Sequence, residues 1–258
     1  MTGENLLNTA KPFPVGTWLR VGQTRAGRFL RRFRSRADIG RIGRTRPVSI
    51  NFGDERGQIV DRYYIEKFLA EHAADVRGHV LEFGDDSYTR QFGGARATKV
   101  DVLQVTEGNP RATVVADLAQ GGQPIPSDTF DCIICTQVLQ YIYDLSAGIR
   151  TLYRILKPGG AVLVTVPCIQ KIDREDMEAY GEYWRFTSRA LRQIFEEIFP
   201  RDHVDVRAYG NVLVATAFLY GLAVEDLRPK DLEFHDPDYE VTVTLRAVKS
   251  PALPWGRP

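Results

Sequence analysis

Between residues 60 and 248 the apolar positions alternate between a helical and an extended period. Val60, Tyr64, Ile65, Phe68 and Leu69 share one helical face, and with Asp61 at its start this pattern predicts a helix running to about Val76. Short apolar runs bounded by Gly, Pro and polar residues predict strands at His79–Phe83, Thr98–Leu103, Thr113–Ala116, Phe130–Cys135 and Ala161–Val166, with a short helix near Tyr88–Phe92. Gly121-Gly122 and Pro124–Ser127 break the chain before the fourth strand. Leu145, Ile149, Leu152, Tyr153, Ile155 and Leu156 mark a helix ending at Pro158-Gly159-Gly160, where proline cannot continue it and glycine permits the turn. The polar, acidic stretch Cys168–Tyr183 reads as a lid or insertion, about 168–188. Beyond it come a helix Ala190–Phe199 capped by Thr187 or Ser188, a strand Val204–Tyr209, a helix Val212–Leu222 and an alternating strand Val241–Val248. Such strand–helix alternation implies a doubly wound, mostly parallel sheet of seven strands with helices on both faces.

A chain of 258 residues suits one well-buried α/β domain plus an extension, and residues 47–258 are expected to form that domain. The longest apolar run, Ala161–Val166, falls far short of the ~18 to 20 residues that span a bilayer, so no transmembrane segment is expected. Met1–Asn5 show no charged-then-apolar leader, and cytoplasmic location is the expectation. Cys132 and Cys135 stand at C-x-x-C spacing inside a strand, where side chains three positions apart point to opposite faces and can neither pair nor share a metal. With Cys168 as the third thiol, no metal site is expected. The net charge of +1 conceals an asymmetry: residues 1–46 carry eleven basic residues against two acidic ones, a charge of +9, which leaves −8 for the remainder. Such a basic arm suits a polyanion, an anionic membrane surface, an organelle-import segment, or an acidic surface of its own chain or of a partner subunit.

The ordered stations Val80-Leu81-Glu82-Phe83-Gly84, Lys99-Val100-Asp101-Val102, Ala116-Asp117-Leu118, Phe130-Asp131-Cys132-Ile133-Ile134-Cys135 and Leu156-Lys157-Pro158-Gly159-Gly160-Ala161-Val162-Leu163-Val164 resemble the core of the class I S-adenosylmethionine (SAM)-dependent methyltransferases, over roughly residues 60 to 248. The resemblance implies a Rossmann-like fold with an antiparallel seventh strand, SAM as cofactor, and methyl transfer as the reaction. It implies that Asp101, with Val102 beside it, holds the SAM ribose, that Asp117 and the main chain at Leu118 hold the adenine, and that Glu82 and Gly84 face the methionine part. The family's usual loop is acid-x-Gly-x-Gly-x-Gly. Here Glu82-Phe83-Gly84-Asp85-Asp86-Ser87-Tyr88 keeps only the first glycine. Either the pocket is rebuilt, with Asp85 or Asp86 meeting the cofactor's ammonium or sulfonium charge, or binding is lost.

The residues support part of this without the resemblance. Ligands of open parallel sheets bind beyond the carboxyl ends of the strands, which selects Glu82–Tyr88, Asp101, Asp117 and Cys135–Gln140. Asp101 follows Glu82 by nineteen positions, near the ~20-residue offset at which an acid meets ribose hydroxyls in dinucleotide folds. Acids in the first loop tolerate a sulfonium and exclude a pyrophosphate, so NAD is disfavoured, as it is by the missing G-x-G-x-x-G. Gln137, Gln140 and Tyr141 lie just past the fourth strand, where the resemblance to the methyltransferases implies the acceptor. Tyr183-Trp184-Arg185-Phe186-Thr187 resembles an acceptor-wall segment of the small-molecule branch, with Arg185 suited to a carboxylate or phosphate and the aromatic rings equally suited to plain packing. Asp61-Arg62-Tyr63-Tyr64 precedes the core and either closes over the cofactor or packs inside. Of the four histidines, His235 is the one expected to serve as a base. After the fourth strand the chain reads Cys135-Thr136-Gln137-Val138 and lacks the Asn/Asp-Pro-Pro-aromatic motif of base-modifying methyltransferases, so a nucleic-acid substrate is not expected. The expected function is methylation of an O or N atom of a small molecule, a glycan intermediate or secondary metabolite. A non-catalytic scaffold and a SAM-binding enzyme of other chemistry, such as a cyclase, remain open.

Overall fold

The computed structural model describes residues 45–251. The described residues open with a loop over 45–59. Then follow α1 (Val60–Glu71), β1 (Gly78–Phe83), β2 (Ala97–Gln104), β3 (Val114–Val115), β4 (Phe130–Thr136), α2 (Leu145–Ile155), β5 (Leu156–Pro167), α3 (Arg174–Tyr180), α4 (Ser188–Glu196), β6 (Val204–Tyr209), α5 (Val212–Leu219), α6 (Pro229–Glu233) and β7 (Thr242–Val248). One seven-stranded sheet runs in the order β3-β2-β1-β4-β5-β7-β6. Its pairs are parallel from β3 through β5, and β7 is antiparallel to both β5 and β6. The switch of strand order falls between β1 and β4, so the crevice of this topology opens beyond Phe83 and Thr136.

Two apolar layers cover the sheet. On one face Leu81, Ile133, Val162, Val164 and Leu245 pack against Ile149, Leu152 and Ile155 of α2 and Leu191 and Phe195 of α4. On the other, Val80, Cys132, Ile134 and Leu163 pack against Ile65, Phe68 and Leu69 of α1. Cys132 and Cys135 fall in different layers, as strand alternation requires, and burial pushes both thiols up, out of the reactive range. Short polar side chains start the helices. Asp144 accepts from the Ala147 N–H, Asp173 from Glu175 and Asp176, Thr187 from Ala190 and Asn211 from Val214, each satisfying a donor that has no partner inside its helix.

Several boundaries differ from the expectation. The first helix stops at Glu71 rather than Val76. α2 stops at Ile155, and β5 already begins at Leu156, which pairs with Phe130, so the Pro-Gly-Gly turn is an irregularity inside the strand. The lid region contains a helix, α3, and another short helix, α6, precedes β7. The basic arm expected over residues 1–46 lies, but for its last two positions, outside the described residues. No helix among the described residues is long and apolar enough to cross a membrane.

The loop before α1 is strapped to the far end of the chain. Val48 N–H donates to the Tyr220 carbonyl, Val224 N–H to the Gln58 carbonyl, Ile59 and Ala223 form an antiparallel bridge, and Arg56 grips Asp226 with two 2.8 Å hydrogen bonds. The approach is close at Gly221 (φ +67°), where a Cβ would fall 2.2 Å from the Ser49 carbonyl oxygen. Gly221→Ala is therefore expected to lift the strap and lower stability by more than ~1 kcal/mol in chemical denaturation. A stability equal to that of the parent would show that the strap yields freely.

Candidate active site

β1 delivers Glu82 to the crevice edge nearly without exposure, at 2 %. Its two carboxylate oxygens accept the main-chain N–H groups of Tyr88 (3.0 Å) and Thr89 (2.7 Å). The chain reverses at Gly84 (φ +79°), and the next six residues are drawn down toward α1 by that carboxylate. Tyr88 consequently enters the layer formed by Ile65, Phe68 and Val80, with Phe92 6.1 Å away, instead of standing in the crevice. Asp86 turns to Arg90 as a bidentate pair. Asp85 accepts from both the N–H (2.8 Å) and the hydroxyl (2.6 Å) of Ser87. No atom lies within 4 Å of where a Gly84 Cβ would stand, so the space beside the turn is open.

Asp101 does not reach this edge. β2 continues three residues past it, and Asp101 stands opposite Leu81 in mid-strand. Its carboxylate takes a 2.6 Å bond with His79 Nε2, a 2.9 Å bond from the Thr113 hydroxyl and Lys99 at 3.4 Å. Burial works against its charge, but these partners prevail and hold it below the usual carboxylate range. Val102 is buried, with its N–H on Thr113 Oγ1. The residue that ends β2 is Gln104, whose Nε2 donates to the Tyr180 hydroxyl of α3 at 3.1 Å. Asn109, in the following loop, donates to the Gly84 carbonyl at 2.7 Å and ties that loop over the β1 turn. Asp117 caps the short turn after β3, accepting from Ala119, and Leu118 is buried behind it with its carbonyl on the Thr151 hydroxyl. Asp117 and Leu118 thus do lie beyond a strand end, as expected.

On the β4 side, Gln137 adopts a positive φ of 55° and anchors its N–H on the Thr165 carbonyl. Its Oε1 accepts from Gln140 Nε2 at 3.2 Å. These two residues, Tyr141, Asp61, Arg62 and Asp176 line a cavity of about 340 Å³, counting its open mouth, with Phe52 and Ile59 from the strap and Gln170 and Asp173 from the lid. Asp61 Oδ1, Gln137 Nε2 and Gln140 Oε1 are buried there with no hydrogen-bond partner among the described residues. Tyr141 donates its hydroxyl to Asp176 Oδ2 at 2.7 Å, and burial pushes both groups up. Burial also opposes the charge on Arg62, yet the hydroxyl of Tyr88, which it hydrogen-bonds, and the carboxylate of Asp61 keep it firmly protonated.

The lid closes over this cavity. Tyr183 N–H donates to the Gln140 carbonyl, and Trp184 Nε1 to the Ile142 carbonyl. Tyr180 reaches both Gln104 and, ring to ring at 6.2 Å, Tyr141, so α3 bridges the ends of β2 and β4. Arg185 holds the lid together through the carbonyls of Lys171 and Trp184 and an ion pair with Glu182, and it does not line the cavity. His235 is exposed, near the end of β6, and does not line the cavity either; its neighbour Asp236 is bonded to the Gly210 carbonyl. Among the described residues no group of three His, Cys, Asp or Glu side chains is arranged to hold a metal. Gln104, Phe52, Asp173 and Asp176 were not foreseen as site residues. Asp173 had a visible signal, an Asp at a helix start with acids in the first turn, whereas Phe52 arrives only through the strap.

A family model for the methyltransferase domain matches residues 58–198, more than half of the chain. The chain belongs to the methyltransferase domain family. Its strand order and antiparallel β7 give this methyltransferase domain the class I architecture, which uses SAM as methyl donor. It is 49% identical over 91 residues to the ubiquinone/menaquinone biosynthesis C-methyltransferase UbiE of Marinomonas sp. (strain MWYL1), covering 35% of this chain and 30% of that protein. The corresponding protein of Escherichia coli (strain K12 / DH10B) is 38% identical over 63 residues, 23% of this chain and 24% of the relative. The chain thus matches less than a third of the length of these relatives. In fold it is similar to a Galdieria sulphuraria protein provisionally named a sarcosine dimethylglycine methyltransferase, with a TM-score of 0.50, 13% identity, and coverage of 74% of this chain and 90% of that one.

Two outcomes follow for this methyltransferase domain. Burial pushes the Glu82 carboxyl up to about 7 from 4.5, against two N–H donors that favour its ionised form. The native state then holds a proton between those values that the unfolded chain has released, so stability falls as pH rises from about 4.5 to about 7. In Glu82→Gln that component vanishes, and denaturation at pH 5 and pH 7.5 should show the parent losing up to roughly 3 kcal/mol relative to the variant; parallel pH profiles would refute the shift. Asp101→Asn should lower stability by about 1–2 kcal/mol while leaving S-adenosylhomocysteine affinity, by calorimetry, within about threefold. A loss of affinity without loss of stability would return Asp101 to the cofactor site.

Proposed function

We propose that this protein binds SAM in the crevice beyond β1 and transfers its methyl group to an oxygen or nitrogen of a small molecule held under the lid. The observation that carries this reading is the open space at the Gly84 turn of the class I sheet, with a polar cavity lined by Asp61, Arg62, Gln137, Gln140 and Tyr141 beyond β4.

The residues present fit the cofactor. The open space at the Gly84 turn would admit it, and Asp117 with Leu118 would meet the adenine edge. Gln104, in place of the family's acid, would meet the ribose. Arg62 is a cation suited to the methionine carboxylate, with Gln137 at the junction between cofactor and acceptor. When bound, SAM supplies a methyl carbon already activated on a sulfonium. The protein's work is to hold the acceptor atom in line with it and keep water away, the latter through the lid bonds of Tyr180, Tyr183 and Trp184. A base is required only where the acceptor is a hydroxyl or a protonated amine. A second reading, methylation at carbon, is favoured by the relatives named as C-methyltransferases.

Isothermal calorimetry with SAM and S-adenosylhomocysteine tests this directly. Saturable binding at one site is expected, weakened about tenfold or more in Arg62→Met through loss of a charge-assisted contact. Absence of binding by the parent protein would leave a non-catalytic scaffold as the better description.

A further inference from the structure

We propose that the outer face of α5 and the first residues of the strap form a docking surface for an anionic phospholipid bilayer, with the Arg-rich segment before the strap supplying the charge. α5 (Val212–Leu219) contains no charged side chain. A helix that is apolar all round ordinarily stands inside a core or in lipid, yet only one side of this one is covered. Val214, Ala215 and Phe218 share a buried cluster with Val60 and Tyr64 of α1. Val212 and Leu219, seven positions apart and so on one face of the helix, are 52 % and 45 % exposed. The strap adds Val48 and Ile50, 38 % and 74 % exposed. The N–H groups of Val48 and Ser49 both donate to the Tyr220 carbonyl, which sets these residues at the C-terminal end of α5, next to Leu219. Four large aliphatic side chains thus meet solvent along a helix about 12 Å long and at its end.

The charge beside this strip decides its occupant. The chain enters the strap from residues 1–46, which carry ten arginines and a lysine against two acids. Within them Arg28-Phe29-Leu30-Arg31-Arg32-Phe33-Arg34 interleaves four guanidinium groups with three large apolar side chains. The acids that follow α5 are already held by cations of the body: Asp226 by Arg56, Asp231 by Arg228 and Glu233 by Lys67. Asp236 and Asp238 lie by the opposite end of α5 from Val48, where Asp236 N–H donates to the Gly210 carbonyl. A nucleic acid would satisfy the arginines and leave the aliphatic strip in water. A bilayer with anionic headgroups takes both, since aliphatic side chains enter the boundary between headgroups and acyl chains while arginines remain at the phosphates. The strap reaches the cavity at Phe52, at most ~15 Å of chain beyond Val48, so a bilayer docked here stands beside the site.

Co-sedimentation of the whole protein with vesicles tests this, using phosphatidylcholine alone and equal parts of phosphatidylcholine and phosphatidylglycerol. The protein should bind the mixed vesicles about tenfold or more tightly than the neutral ones, and the difference should shrink as salt is raised. Ile50→Asn together with Leu219→Gln leaves the charge unchanged and should weaken binding to the mixed vesicles about tenfold. A thermal melt checks that this double variant folds, and Ile50→Asn alone, at a largely exposed position, carries the same test in the same direction. Replacing Arg28, Arg31, Arg32 and Arg34 by Gln should weaken binding about tenfold or more. Absence of binding to the mixed vesicles, or equal binding to both kinds, overturns the proposal. Undiminished binding by the Ile50 and Leu219 variants overturns the strip as the docking surface and leaves the arginines as the sole contact. Tighter binding to a DNA duplex than to mixed vesicles, at equal phosphate concentration, assigns the arginines to a polynucleotide and overturns it as well.

Discussion

The arrangement of the crevice depends on one buried carboxylate. Removing Glu82 from water is unfavourable unless its oxygens are occupied, and the N–H groups of Tyr88 and Thr89 occupy them. In return they fix the direction in which the chain leaves β1. A loop with one retained glycine, two aspartates and a tyrosine would crowd a cofactor if it ran outward along the edge. Drawn inward, its tyrosine becomes part of the α1 layer and its aspartates find partners in Ser87 and Arg90. Loss of the later glycines is thus accommodated by a change of path, and the crevice remains open at Gly84.

The opposite wall is assembled from segments far apart in the chain. The strap brings Phe52 and Ile59, α1 brings Asp61 and Arg62, the turn after β4 brings Gln137, Gln140 and Tyr141, and the lid brings Asp173 and Asp176. Main-chain hydrogen bonds tie these segments together, Val224 N–H to the Gln58 carbonyl for the strap and Tyr183 N–H to the Gln140 carbonyl for the lid.

Much of the sheet was legible because buried strands announce themselves as short apolar runs, and Val204–Tyr209 and Phe130–Cys135 come out within a residue of the observed bounds. The ribose acid was misplaced for a related reason. The offset from Glu82 assumes strands of a given length, and β2 runs on through Gln104, so the rule landed on an acid that braces His79 and Thr113. Arg185 and His235 were chosen by chemical type, which says nothing about whether the group is already engaged or far from the cavity. The strap could not be read locally, since Ser49–Ile59 owes its path to Gly221 and Ala223 more than 160 residues later. Asp61 and Arg62 were visible as a charged pair at a helix start, where an acid ordinarily complements the helix dipole in solvent. Only the strap and lid packed around them turn that surface feature into a cavity wall.

The central claim is that the redirected loop leaves room for an adenosyl ligand. A crystal structure of the protein grown with S-adenosylhomocysteine tests it most directly. The account predicts the adenosine lying along the ends of β1 and β2, with Tyr88 still beneath α1 and Glu82 still holding its two N–H groups. Tyr88 standing in the crevice, with no ligand there at saturating concentration, would contradict it.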